Sequence, residues 1–381
     1  MPRRSNRALN ITLAAVLLLV VLLMGVSPLV ELSLPVDSSV SRGLEWIRSR
    51  VMETMIALWF FALGGMVGSF INVVVWRMPR GVSVVSKGSA CPWCTAKIRL
   101  VDNVPIFGWI KLGGRCRVCR LPISPRYPIV EAVFASMFLV LFFVEVATAA
   151  GNLPGGPWYR SRGILQVILG ARWDVLAVYA FHITLVTMLL TWTLMVFDRS
   201  RIPVKTIAFA LIVGFVGAAA APWVQPFKWV AGHEEWFGGL QWIRRIDTSF
   251  LGLACGFLAG ELVEQLLTRR ADAEKHYGQG FATSLMTVGL FLGWQAVCTV
   301  LLLTGLLTTI RWCTRRCDFL SAVGWMSLAT VLQICLWRWI AALTATRGAI
   351  PGWVISGICL VTGILLVVLS PAKRVGEEQA Q

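Results

Sequence analysis

The stretch "GSFINVVVWRMPRGVSVVSKGSACPWC" (residues 68–94) runs without interruption from an apolar segment into a basic loop that carries a cysteine pair. Residues 68–76 hold no charge; Arg77 and Arg80 follow, and Pro79 and Gly81 are residues that end helices. Upstream, the apolar run reaches back to residue 53. That is long enough to cross a hydrocarbon core of roughly 30 Å. The stretch therefore reads as the end of a membrane span that delivers a polar loop.

The rest of the chain has the same character. It has 381 residues, of which 57% are hydrophobic and 14% charged, with a mean hydropathy of +0.73. Soluble domains carry about 25% charged residues, so a soluble globular fold is excluded. Apolar runs at 9–31, 53–75, 129–149, 174–197, 206–222, 249–267, 281–309, 319–342 and 352–370 predict about nine transmembrane helices. The first run follows a basic N-terminus and exceeds the apolar core of about 7–15 residues found in secretory signals. It reads as an anchor with its basic end in the cytoplasm. Gly64 and Gly68, and Gly252, Gly256 and Gly260, are spaced for close helix packing in lipid.

The net charge of +16 follows from topology. Lys and Arg collect in cytoplasmic loops of membrane proteins. Loop 76–128 holds Arg77, Arg80, Lys87, Lys97, Arg99, Lys111, Arg115, Arg117, Arg120 and Arg126, which assigns it to the cytoplasm. The same count puts 197–205 and 268–280 inside and the Trp-rich loop 223–248 outside. One basic segment, 311–318, falls outside on this count. The 18 Trp suit membrane interfaces, and nucleic acid is not an expected partner.

Within the basic loop, "CPWC" (91–94) and "CRVC" (116–119) form two C-x2-C pairs. Cys91, Cys94, Cys116 and Cys119 can supply a closed tetrahedral zinc shell, which is structural because no coordination position stays open. Disulfides are the rival reading, disfavoured in a reducing compartment. The other six cysteines lie in or beside apolar runs and read as small hydrophobes, with Cys313 and Cys317 spaced to pair if outside. The expected fold class is thus an all-α polytopic membrane protein with a small cytoplasmic tetracysteine zinc-binding insertion.

"GSFINVVVWRMPRG" (68–81), "CPWC", "VDNVPIFGWIKLGGRCRVC" (101–119) and "PISPRYPIVEA" (122–132) together resemble the N-terminal domain of the type IV prepilin peptidases. The resemblance is specific over residues 64–135 and weaker to residue 310, where "FLGWQA" (291–296) echoes a family helix. It divides the chain into an N-terminal anchor (1–52), a zinc-bearing region (53–135), peptidase-like helices (136–310) and C-terminal helices (311–381). It implies a membrane aspartic endopeptidase of the bacterial inner membrane that cuts leaders from type IV prepilins or type II secretion pseudopilins at the cytoplasmic face. Many members also methylate the new N-terminus with S-adenosylmethionine.

Such cleavage needs two carboxylates that share a proton. In "FDRSRIPVK", Asp198 takes the first family position at the cytoplasmic end of its helix, and Pro203 matches the motif while Val204 replaces its later acid. The second position falls in "YGQGFAT": Gly278 and Gly280 match both glycines, but Phe281 stands for the aspartate and Thr283 for the lysine; a register shifted by one or two residues brings Gly280 or Gln279 there instead, and none supplies an acid. Asp272, Glu274, Glu261 and Glu264 are the acids available as substitutes, although Glu261 and Glu264 also read as interfacial side chains beside Arg269 and Arg270. An active peptidase, a non-cleaving relative that binds prepilin or assembly partners, and a zinc-domain membrane protein with an unrelated role all remain open. His182 reads as a polar contact within the bundle, and Glu131 as helix N-terminal charge compensation.

Overall fold

The computed structural model describes residues 39–85, 88–154, 163–225, 243–270, 280–314, 321–344 and 352–369. The predicted anchor 9–31, Asp272, Glu274, Gly278 and Cys317 lie outside them. Among the described residues the regular elements are helices, α1 (Ser39–Arg77), α2 (Phe107–Lys111), α3 (Arg126–Leu141), α4 (Ile164–Leu169), α5 (Trp173–Phe197), α6 (Val204–Ala220), α7 (Ile243–Arg270), α8 (Phe281–Leu292), α9 (Trp294–Thr314), α10 (Ala322–Thr344) and α11 (Gly352–Leu369). Five of the described helical segments are long and apolar enough to cross a membrane: Gly43–Arg80, Arg126–Val146, Trp173–Phe197, Asp247–Arg269 and Ala322–Leu343. Shorter apolar helices cover Val204–Ala220, Phe281–Leu292, Trp294–Ile310 and Val354–Leu369.

One predicted span is divided. The run 281–309 breaks between α8 and α9 at Gly293, whose φ of +86° is open to glycine but strained for other residues. Hydropathy averages over such a break because both halves are apolar. The span predicted from residue 53 also starts earlier, at Ser39.

The chain forms two compact units. The first comprises residues up to Phe70, Val85–Phe142 and Ile164–Gly170. In it α1 and α3 meet through glycine: a Cβ on Gly64 would stand 2.7 Å from the Phe134 carbonyl oxygen, and one on Gly68 2.9 Å from the Glu131 Cα. Glu131 lies inside α3, and its Oε2 accepts the Ile106 N–H at 2.6 Å. The expected compensation of a helix N-terminus is therefore corrected: α3 begins five residues earlier, at Arg126, and the carboxylate reaches out of the helix to hold a loop.

The second unit comprises Ile71–Val84, Phe143–Gly163 and Ala171 onward. Its closest helix pair is α7 and α8. The glycine stripe of α7 faces α8 directly: added Cβ atoms at Gly252 and Gly256 would collide with the carbonyl oxygens of Gly289 and Leu285, and one at Gly260 would lie 2.6 Å from the Ala282 Cα. Without side chains between them the two backbones touch, which is how helices gain van der Waals energy in lipid. This register carries the end of α7, one turn beyond Gly260, past the first turn of α8.

Candidate active site and tetracysteine cluster

The two C-x2-C pairs fold into two equivalent turns. Each is closed by an isolated antiparallel bridge, Ala90 with Lys97 and Arg115 with Pro122. In each the first cysteine N–H donates to the residue five positions on, Cys91 to the Ala96 carbonyl and Cys116 to the Leu121 carbonyl. Thr95 and Arg120, each just after a second cysteine, take left-handed φ values of 57° and 63°. The turns bring the thiols together: Cys91 Sγ lies 3.8 Å from Cys119 Sγ, Cys94 Sγ lies 3.9 Å from Cys116 Sγ, and all four lie within 4.8 Å of one another. Zn–S bonds of about 2.3 Å place the sulfurs of a tetrahedral shell about 3.8 Å apart, so the cluster is dimensioned for such an ion.

The thiols are not electrostatically alike. The backbone N–H groups of Cys119 and Val118 point at Cys116 and lower its thiol to about 6. Leu121's N–H favours the Cys119 thiolate, but burial and the neighbouring sulfurs outweigh it and push that thiol up to about 11. As ligands all four would be thiolates, and a cation among them would offset their mutual repulsion. Beside the cluster, Arg117 grips buried Asp102 with two bonds, Nε to Oδ2 at 2.7 Å and Nη2 to Oδ1 at 2.5 Å. Those bonds hold the Asp102 carboxyl below its usual range and raise the guanidinium.

Asp198 caps the C-terminus of α5. Beyond it Ser200 N–H donates to Met195 and Arg199 N–H to Val196, the two bonds of a Schellman motif. Arg199 occupies the left-handed position at φ 52°, where glycine is usual. Trp192 Nε1–H donates to Thr206 Oγ1 at 3.0 Å, and Thr206 in turn donates to the Pro203 carbonyl. The connection from Asp198 to Pro203 is thereby held at both ends.

This connection closes on the turn before α8. A Cβ added to Gly280 would lie 2.6 Å from Ile202 Cδ1 and 3.5 Å from Val196 Cγ2, residues on either side of Asp198 in sequence. Gly280 is left-handed at φ 78°, so position 280 calls for glycine twice over, for conformation and for space. Phe281 is fully buried. The acids of α7 part company here. Glu261 accepts the side-chain amide of Gln265 at 3.1 Å, whereas Glu264 spans the turn, accepting Gly280 N–H at 3.3 Å and Ala282 N–H at 3.0 Å.

His182 is buried as a bundle contact, and its partner is Glu145, which sequence reasoning passed over. The signal was available: a lone acid in an apolar run is a functional hypothesis by default.

The comparisons with known proteins bear on this geometry. The model of the Bacterial Peptidase A24 N-terminal domain matches residues 62–145. A prepilin leader peptidase/N-methyltransferase of Klebsiella pneumoniae is 30% identical over 192 residues, 46% of this chain and 78% of that relative. The chain belongs to the prepilin leader peptidase/N-methyltransferase family. Another member, from Myxococcus xanthus, is 43% identical over 84 residues, 22% of this chain. The type 4 prepilin-like proteins leader peptide-processing enzyme of Escherichia coli is 28% identical over 183 residues, 42% of this chain. The match spans 25% of the Myxococcus relative's length and 65% of the Escherichia relative's. No solved structure matches the chain.

Proposed function

We propose that this chain is a membrane aspartic endopeptidase that removes leaders from type IV prepilins or type II secretion pseudopilins. The observation that carries the reading is the closure of the Asp198 connection on the Gly280 turn. In the family motif these are the two segments that bear the paired acids, and here they meet. Asp198 supplies one carboxylate. It is half-buried, so water can reach it as reactant. Hydrolysis adds that water across the peptide bond: one carboxylate takes a proton from the attacking water while a protonated partner donates to the carbonyl oxygen. The tetrahedral intermediate then collapses with the amine leaving in protonated form.

The protein sits in the bacterial inner membrane with the tetracysteine loop and Asp198 on the cytoplasmic side, a reading supported by the ten cations of loop 76–128. A zinc ion held by Cys91, Cys94, Cys116 and Cys119 would be structural and would supply no reacting group. The substrate's apolar helix is recognised within the bilayer, because a basic leader gains nothing from a basic loop. N-methylation, the second activity in the relatives' name, would draw on S-adenosylmethionine.

Co-expression with a prepilin tests the reading. Mass spectrometry of the product should show leader removal, and an added methyl group if the second reaction runs. Asp198→Ala should abolish cleavage. Undiminished cleavage by Asp198→Ala would overturn the assignment, and co-purification of uncut prepilin with the wild type would identify a non-cleaving binder instead.

A further inference from the structure

The family position for a second acid is filled by Phe281, whose ring is fully buried, yet a carboxylate does stand at this turn. It arrives from α7. The glycine stripe presses α7 onto α8, so the turn after Gly260 overshoots the N-terminus of α8 and Glu264 folds over it. Its Oε1 accepts the N–H of residue 280 and its Oε2 that of residue 282, the amides on either side of Phe281. The same Gly280 is packed against Ile202 and Val196 of the Asp198 segment. Glu264 and Asp198 are both half-buried, which leaves them open to water in a way that the ring of Phe281 is not.

We propose that Glu264 supplies the second carboxylate of the site, returned from α7 to the turn where residue 281 no longer provides one. The proposal rests on the peptidase reading above. In that role one of the two carboxylates takes the proton of the attacking water as the other, in its acid form, gives its proton to the peptide carbonyl oxygen. After the C–N bond breaks and the amine leaves protonated, the pair is again singly protonated. The helix cap and the chemistry are compatible. Two backbone N–H groups orient the carboxylate, and each oxygen keeps a second lone pair for water or substrate. Glu261, bonded to Gln265 one turn away, takes no part.

The test uses the purified full-length protein and a synthetic prepilin, with cleavage rate, melting temperature and zinc content read for each variant. Glu264→Gln keeps the length and one acceptor for the cap but loses the acid. It should melt close to wild type and cleave about 100-fold more slowly or worse, as expected for loss of an acid or base. Glu264→Gln that cleaves at the wild-type rate, while Asp198→Asn is inactive, overturns this proposal and leaves the peptidase reading standing. Wild type that never cleaves overturns the peptidase reading itself. Phe281→Asp decides the case where Glu264→Gln fails to fold. With a second acid already in place, Phe281→Asp adds nothing to the rate; a rise of about tenfold or more means that the native site lacked an acid, and overturns the role given to Glu264.

Discussion

The Nδ1 of His182 lies 2.5 Å from Oε1 of Glu145, and neither side chain has any exposure. Glu145 sits in a π-helical turn, Phe142–Val146, that ends the helical run of α3. Ala149 and Ala150 then take consecutive left-handed conformations, which puts Asn152 beside the pair. Asn152 Nδ2–H donates to Glu145 Oε1 at 3.4 Å and to the Ile334 carbonyl at 2.9 Å, while the Asn152 backbone carbonyl accepts Arg338 N–H at 2.7 Å. Ile334 and Arg338 are one helical hydrogen bond apart in α10, so Asn152 bridges both groups of a single helical step. The loop after α3, α5 and α10 are thus tied through one polar cluster in an apolar interior.

Removing one member of a buried pair strands the other without water. Glu145→Ala and His182→Ala should each destabilise the protein by about 3–5 kcal/mol. Glu145→Leu combined with His182→Leu should recover most of that loss, because neither member of the pair is then stranded and Asn152 keeps its bond to the Ile334 carbonyl. Thermal melts in detergent check both; a single variant that melts like wild type refutes the coupling.

The cysteine cluster predicts that zinc and the fold of the insertion are lost together. Cys91→Ser or Cys116→Ser should lower zinc content to background and make residues 88–122 protease-sensitive, and chelation of wild type should do the same. Metal analysis before and after limited proteolysis reads both effects.

Asp102 predicts an acid limb. Its folded carboxyl is held low by Arg117, so its contribution to stability is present above the ordinary aspartate value, about 4, and is lost as pH falls through the lower folded value. Asp102→Asn should lower stability at neutral pH and flatten the dependence below about pH 4. Melting temperatures of the two proteins across that range should converge at the acid end.

Arg199 holds a left-handed conformation directly after Asp198. Arg199→Gly removes the clash of its Cβ and should raise stability by about 0.5–1 kcal/mol, visible as a higher melting temperature.

Gly256 lies against the Leu285 carbonyl. Gly256→Leu should force α7 from α8 and carry Glu264 away from the turn. Loss of cleavage with a lowered melting temperature is the expected result, whereas Gly43→Leu, at a position with open space, should change neither.

Much of this architecture is legible in the amino-acid sequence. Hydropathy places the spans because a backbone in lipid must satisfy its own hydrogen bonds, so an apolar run of that length has few alternatives to a helix. Cysteine spacing marks a candidate metal cluster because two cysteines with two residues between them can aim both sulfurs at one ion. The "FDRSRIPVK" and "YGQGF" segments are recognisable as partners by resemblance alone. The break at Gly293 escapes such reading, since a glycine between two apolar runs resembles a glycine within one.

What the sequence by itself determined is therefore local: the membrane class, the pairing of the four cysteines into two C-x2-C turns, the place of Asp198 in the family motif, and the absence of an acid from position 281. What only the tertiary structure decided is which distant side chains meet. Glu261 and Glu264 are indistinguishable by spacing, and the pairing of Glu145 with His182 joins residues of two different helices. The reason is physical. Backbone contact along the α7 glycine stripe sets the register that takes Glu264, and not Glu261, to the amides beside Phe281. Such a register emerges from packing two whole helices and is written in no single motif.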